Sequence, residues 1–133
     1  MALNRKRLLA TRAGLTHHVE IKSNEEPFES VDIYITTGVY PCGILGEMFI
    51  EGTIAEIGVY DDWATASSLL FQCAYSIDAW VQKFAFTRRP PAGFCTGDPR
   101  LPSCQSITDY VARWIGLHYG SEKCKEWLLG DKK

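Results

Sequence analysis

The chain has 133 residues, of which 46% are hydrophobic and 23% charged, and its net charge at pH 7 is −2. That length predicts one domain around a single core, and the near-balanced charge gives no global attraction to nucleic acid, so no nucleic-acid partner is expected. No apolar run approaches the ~20 residues of a membrane-spanning helix and the basic start lacks the apolar stretch of a signal peptide, so no membrane partner is expected and the chain reads as cytoplasmic.

The opening "NRKRLLATR" gathers Arg5, Lys6, Arg7 and Arg12. Residues 1–12 therefore read as a basic, solvated and mobile start. "LTHHVEI" alternates, with Leu15, His17, Val19 and Ile21 on one face of a predicted strand. His17 reads as a core histidine. His18 points to the opposite face, which makes the pair a poor metal site. "SNEEPFES" reads as a polar turn. In "VDIYITTGVY", Val31, Ile33 and Ile35 alternate with Asp32, Tyr34 and Thr36. "PCG" has turn chemistry and "ILGEMFIEG" returns, which together predict a β-hairpin. The first half thus reads as a three-stranded antiparallel sheet. A sheet of this size leaves an edge that seeks a partner, so self-association into a homo-oligomer is expected.

The second half reads as helical. "GTIAEIG" lacks the lysine of a phosphate-binding loop. Asp61 or Asp62 is placed to cap a helix starting near Trp63, with Trp63, Ala66, Leu70 and Cys73 on its inward stripe. Ser76 is placed to cap a second helix carrying Ile77, Trp80, Val81 and Phe84. A third carries Ile107, Tyr110, Val111, Trp114 and Ile115 and ends at Gly120, with His118 near its C-terminus. Ser121 opens a short last helix and tail, residues 121–133, with Cys124, Trp127 and Leu128. Trp63, Trp80 and Trp114 read as core. Trp127, beside Lys123 and Lys125, reads as a docking residue for this domain or for a partner. Strands followed by helices predict an α+β fold, a small antiparallel sheet of about three strands packed against three to four helices.

Cys42, Cys73, Cys95, Cys104 and Cys124 lack the paired spacing of a zinc site, so no metal or other cofactor is expected and the thiols read as reduced. Between the second and third helices lies "FAFTRRPPAGFCTGDPRLPSCQS", residues 84–106, with four of the chain's six prolines. A stretch of this length without a regular pattern is usually functional or disordered. Thr87, Arg88, Arg89, Gly93, Phe94 and Thr96 are its candidate ligand-binding residues. Two readings stay open. Either Thr87, Arg88, Gly93 and Thr96 brace the loop, or Arg88 and Arg89 reach a phosphate while Phe94 or Tyr40 stacks on a base. Cys95 and Cys104 share the stretch and have the reach to meet. No nucleophile motif is present, so no catalytic residue is assigned. A small cysteine enzyme using Cys95 or Cys104 with His17 or His118 is the weaker alternative.

The order of these motifs carries a resemblance. "GVYPCGILGEMFI" resembles the VGLY–turn–GEIFI hairpin of the TSCPD-type domain near the C-terminus of vitamin B12-dependent (class II) ribonucleotide reductases. "RKRLLATRAGLTHHVEI" is similar to that domain's entry segment. "DDWATASSLLFQCAYSIDAWVQKFAFTRRPPAGF" is similar to its stretch ending HTRFEPSGF, and "SITDYVARWIGLHY" to SIVDYIFRWLGLRF. The resemblance spans roughly residues 5–119. It implies a stand-alone copy of an accessory region, without the reductase barrel, its cobalamin site or its catalytic cysteines, so none of the five cysteines here inherits a catalytic role. The function it implies is a non-catalytic, reductase-related module with a nucleotide or a ribonucleotide reductase subunit as partner. The alternative is a phage-type inhibitor or sponge that binds a nucleotide signal or a foreign enzyme.

Overall fold

The computed structural model describes residues 4–23 and 30–130. Most of the expected "SNEEPFES" turn, the first three residues and the end of the C-terminal tail lie outside these. In chain order the elements are β1 (Thr16–Ser23), β2 (Ser30–Val39), β3 (Leu45–Gly52), α1 (Ile57–Gln72), α2 (Ile77–Phe84), β4 (Gly93–Thr96), β5 (Ser103–Cys104), α3 (Ile107–Tyr119) and α4 (Glu122–Leu129). The strands form one sheet in the order β3-β2-β1-β4-β5. This is the α+β fold expected, with two strands more than the three predicted. Both come from the proline-rich stretch and are too short to show a period of two. Pairing makes them strands: Glu20–Ser23 of β1 runs antiparallel to Gly93–Thr96 of β4. Gly93 and Phe94 in turn pair with Cys104 and Ser103 of β5.

By its contacts the chain divides into two compact units, Met1–His18 with Ile33–Ser76, and Val19–Asp32 with Ile77–Lys133. In the first, β2 and β3 form the expected hairpin, with Ile35 opposite Ile50 and Thr37 opposite Met48. Gly43 turns the chain at φ +93°, a left-handed conformation that costs glycine little. Ile33, Ile35, Leu45, Met48 and Ile50 are buried.

Helix α1 packs on β3 but differs from the expectation in start and in face. It begins at Ile57, so Asp61 and Asp62 lie inside it, and neither caps it. The Asp61 carboxylate instead accepts from the Ile50 N–H at 3.1 Å. The buried residues are Tyr60, Ala64, Ser67, Ser68, Phe71 and Gln72. Leu70, placed inward by its spacing, is 44% exposed; Ala66 is exposed, and Trp63 and Cys73 are half-buried. The reason is the edge strand. β3 turns backbone groups away from β2, and a polar group left without a partner in a buried position is costly. Ser68 Oγ accepts from Met48 N–H at 2.9 Å and lies 3.2 Å from Met48 O. Gln72 Nε2 donates to Gly46 O at 3.0 Å. These side chains occupy the groups that an added strand would use on this edge.

The basic N-terminal residues are not a loose start. Lys6 N–H donates to Gln72 O, and Thr37 and Val39 N–H donate to Leu15 O and Ala13 O, all at 2.8–2.9 Å. Arg12 makes a bidentate pair with Glu47, which is only 8% exposed.

In the second unit the three helices stand where expected, although Ile77 and Phe84 of α2 are only half-buried. α2 starts at Ile77 and buries Trp80 and Val81. α3 starts after Ser106 and buries Ile107, Tyr110, Val111, Trp114 and Ile115. α4 starts after Ser121, whose side chain accepts from Cys124 N–H. Asp78 on α2 accepts from Ser121 N–H at 3.0 Å and from its hydroxyl, which lowers the carboxyl pKa. Gly116 permits the close fit of α3: a Cβ there would sit 2.6 Å from Leu128 Cδ1 and 3.0 Å from Val81 Cγ1.

Candidate functional site

The proline-rich stretch leaves α2 through Ala85 and Phe86, and Phe86 has φ +66°. What holds it there is Asp109, a carboxylate of 0% exposure in the first turn of α3. Asp109 accepts from Phe86 N–H at 2.6 Å and from Gln105 N–H at 2.8 Å. Arg113, one helical turn on, donates to the same carboxylate through Nε at 2.8 Å and Nη2 at 2.9 Å. Its Nη2 also reaches Ser103 O at 2.7 Å, and its guanidinium lies over the Phe86 ring at 5.3 Å. A buried charge needs such complete pairing, because desolvation alone would expel it.

Ser106 completes the knot. Its hydroxyl donates to Thr87 O at 2.8 Å and accepts from Asp109 N–H at 2.8 Å. Thr87 Oγ1 donates to Phe84 O at 3.0 Å. A second clasp lies further along. Asp98 is held by Arg100 Nε at 3.0 Å and Nη2 at 2.7 Å, and Arg100 keeps the Asp98 carboxyl down at about 2. Arg100 Nη2 also lies 3.2 Å from His118 Nε2, and His118 packs on Trp114.

Between the two ends of this stretch is a cavity of about 440 Å³, lined by Arg88, Ala92, Gly93, Phe94, Ser103, Cys104 and Gln105. Of the six candidate residues, the structure brings Arg88, Gly93 and Phe94 to this cavity. Thr87 is part of the brace. Arg89 is exposed and contributes its backbone N–H to Gln105 O. Thr96 is exposed at the end of β4, opposite Glu20. The bracing role read for Arg88 falls to Asp109, Ser106 and Arg113 instead. Among the described residues, neither the Arg88 nor the Arg89 guanidinium has a hydrogen-bond or ion-pair partner. Phe94 is 76% exposed, the largest exposure of any large apolar side chain described. Gly93 has φ +157°, and a Cβ there would meet Lys22 O at 1.9 Å, so its small size serves the approach of β1 and β4. Tyr40, the other stacking candidate, is in the first unit, 7% exposed, with its hydroxyl on Lys6 O. Trp127 meets the Phe86 ring edge-on at 5.6 Å while remaining 45% exposed.

Cys95 and Cys104 do meet. The Cys95 thiol donates to Gly93 O at 3.7 Å, and the nearness of the two sulfurs is the main influence on both thiols, pushing Cys95 up and Cys104 down. Among the described residues no group of three or more His, Cys, Asp or Glu side chains is arranged to hold a metal ion, and no helix is long and apolar enough to cross a membrane.

The brace residues escape a reading by apolar period. One local signal was available: Ser106 and Asp109 stand at the S-x-x-D spacing that opens a helix before an apolar run. Asp109 and Arg113 then stand at the i, i+4 spacing of a helical ion pair.

No family model and no solved structure matches the chain. Among curated proteins it is similar to the vitamin B12-dependent ribonucleotide reductase of Rhodopirellula baltica, 36% identical over 121 residues, which are 88% of this chain and 11% of the reductase. That of Bradyrhizobium diazoefficiens is 38% identical over 93 residues, 67% of this chain and 7% of the reductase. That of Streptantibioticus cattleyicolor is 33% identical over 120 residues, 86% of this chain and 18% of the reductase. The chain therefore spans less than a fifth of the length of these relatives, and it is a small domain similar to one part of the vitamin B12-dependent ribonucleotide reductases.

Proposed function

We propose that this domain is a non-catalytic, reductase-related module that binds a nucleotide in the cavity between Arg88, Phe94 and Gln105. One observation carries the reading: the Arg88 guanidinium, without a partner among the described residues, lines the same cavity as the exposed Phe94 ring. A guanidinium fork matches phosphate oxygens in pairs. An open aromatic face takes a base of any kind, worth about 1–3 kcal/mol of stacking. The brace at Asp109 supports the reading as well, because a loop held in place before binding loses less entropy on binding.

A thermal-shift screen of the purified chain against ribonucleotides, deoxyribonucleotides, cyclic di- and trinucleotides and adenosylcobalamin tests this. A ligand at a hundred times its dissociation constant adds roughly 2.7 kcal/mol, which raises the melting temperature by about 8–13 °C at this size. The Arg88→Ala variant should unfold at the unliganded temperature of the wild type and bind about 10- to 100-fold more weakly, the loss of a charge-assisted pair of hydrogen bonds. A flat panel sinks the nucleotide reading and leaves a reductase subunit as partner, to be sought by pull-down with a vitamin B12-dependent reductase.

A further inference from the structure

The same stretch holds a feature that nucleotide binding leaves unused. β4 and β5 pair with Gly93 opposite Cys104 and Phe94 opposite Ser103. Cys95 follows next but one after Gly93, and alternate residues of a strand share a face. Cys95 and Cys104 therefore stand on one face in adjacent rows, the diagonal relation across an antiparallel pair. The pairing continues past them, since Cys95 N–H donates to Pro102 O at 2.9 Å. Both cysteines are free, and Cys104, otherwise buried, lines the 440 Å³ cavity.

We propose that Cys95 and Cys104 form a dithiol site that exchanges with disulfides, with Cys104 as the attacking sulfur and Cys95 as the resolving one. The cavity brings a disulfide RS–SR to Cys104. The Cys104 thiolate attacks one sulfur, the RS–SR bond breaks, Cys104–S–S–R forms, and the departing RS⁻ takes up the proton that Cys104 released. Cys95 then loses its proton and attacks the Cys104 sulfur. The S–S bond between the Cys104 sulfur and the SR group breaks, the Cys95–Cys104 disulfide forms, and the second RS⁻ takes up that proton. In sum the two cysteine thiols are oxidised to one disulfide and RS–SR is reduced to two RSH.

The surroundings divide the roles in the same sense. The neighbouring Cys95 thiol and the Gly93 backbone favour the Cys104 thiolate over its thiol. Cys95 is held protonated first by the adjacent Cys104 sulfur and then by burial and the Cys104 charge. Once Cys104 is in the mixed disulfide its charge is gone, and the resolving thiol is released at the step that needs it.

The test uses the full chain and glutathione disulfide, followed by acid quench, alkylation and peptide mass mapping, with circular dichroism to verify folding of each variant. In the wild type, a Cys95–Cys104 linkage is expected. Cys95→Ser should stop at one glutathione on Cys104, and Cys104→Ser should leave Cys95 alkylatable. The proposal is overturned if wild-type Cys95 and Cys104 stay alkylatable while exposed Cys42 is glutathionylated. It is equally overturned if Cys104→Ser takes glutathione on Cys95 as fast as the wild type forms its linkage. Should a serine variant fail to fold, the wild-type map alone decides whether the pair links. No nucleotide enters the experiment, so its outcome is separate from that of the binding screen.

Discussion

Helices α1 and α3 are each well formed, and each buries a continuous face, but by opposite means. α1 lies on β3 and buries Ser67, Ser68 and Gln72 among Tyr60, Ala64 and Phe71. Its Leu69 and Leu70 are 43% and 44% exposed. α3 buries Ile107, Tyr110, Val111, Trp114 and Ile115, with Asp109 as its one buried charge. The difference lies in what each helix faces. α1 faces the outward N–H and C=O groups of an edge strand, and only polar side chains satisfy those. α3 packs against α2 and α4, whose inward side chains are apolar, and there the usual apolar stripe applies. A helix on a sheet edge thus inverts the pattern by which helices are normally oriented.

The largest expected effect tests the exception within α3. Asp109→Ala strands Arg113 and leaves the N–H groups of Phe86 and Gln105 without their acceptor, which should cost about 3–5 kcal/mol in urea unfolding. A loss below about 1 kcal/mol would mean that Asp109 is incidental and that α3 is held by its apolar stripe alone.

The edge-capping role of α1 is tested by Ser68→Ala. It orphans the buried Met48 N–H and should cost about 1–3 kcal/mol. Hydrogen exchange should show Met48 losing protection before the residues of β3 that face β2. Unchanged protection at Met48 would remove the argument that polar contacts orient α1.

Acid should distinguish the two regions by a smaller amount. Asp98 sits at about 2, below its ordinary 3.8, because Arg100 holds its charged form. Its contribution is therefore present above pH 3.8 and lost as pH falls from there toward 2. Arg100 is 42% exposed, so solvent screening leaves about 1 kcal/mol of it. Melting temperatures of wild type and Asp98→Asn should converge over that acid window and separate above it. Parallel curves would assign the clasp no net stability.

The smallest effect is the sharpest test of the inverted face. Leu70→Ala should change stability by no more than about 0.5 kcal/mol. Were Leu70 inward, as its spacing suggests, the same change would cost about 2–5 kcal/mol.

Much of the molecule was legible before any coordinates. The alternation of Val31, Ile33 and Ile35, the turn at "PCG", the stripe from Ile107 to Ile115 and the caps at Ser106 and Ser121 are relations within a few residues, and backbone geometry translates such relations directly into strand, turn and helix. The motif order also carried the likeness to one part of the vitamin B12-dependent reductases. Three things were decided only by the tertiary structure. Gly93–Thr96 became a strand because β1 offered it backbone partners. α1 turned Ser68 and Gln72 inward because β3 offered backbone groups that β2 does not pair. Arg88 came to line a cavity, rather than to brace the loop, because Asp109 had already taken Arg113 and the loop's N–H groups. Each depends on a partner distant in sequence, and hydrogen-bond demand at such a distance leaves no period in the chain to read.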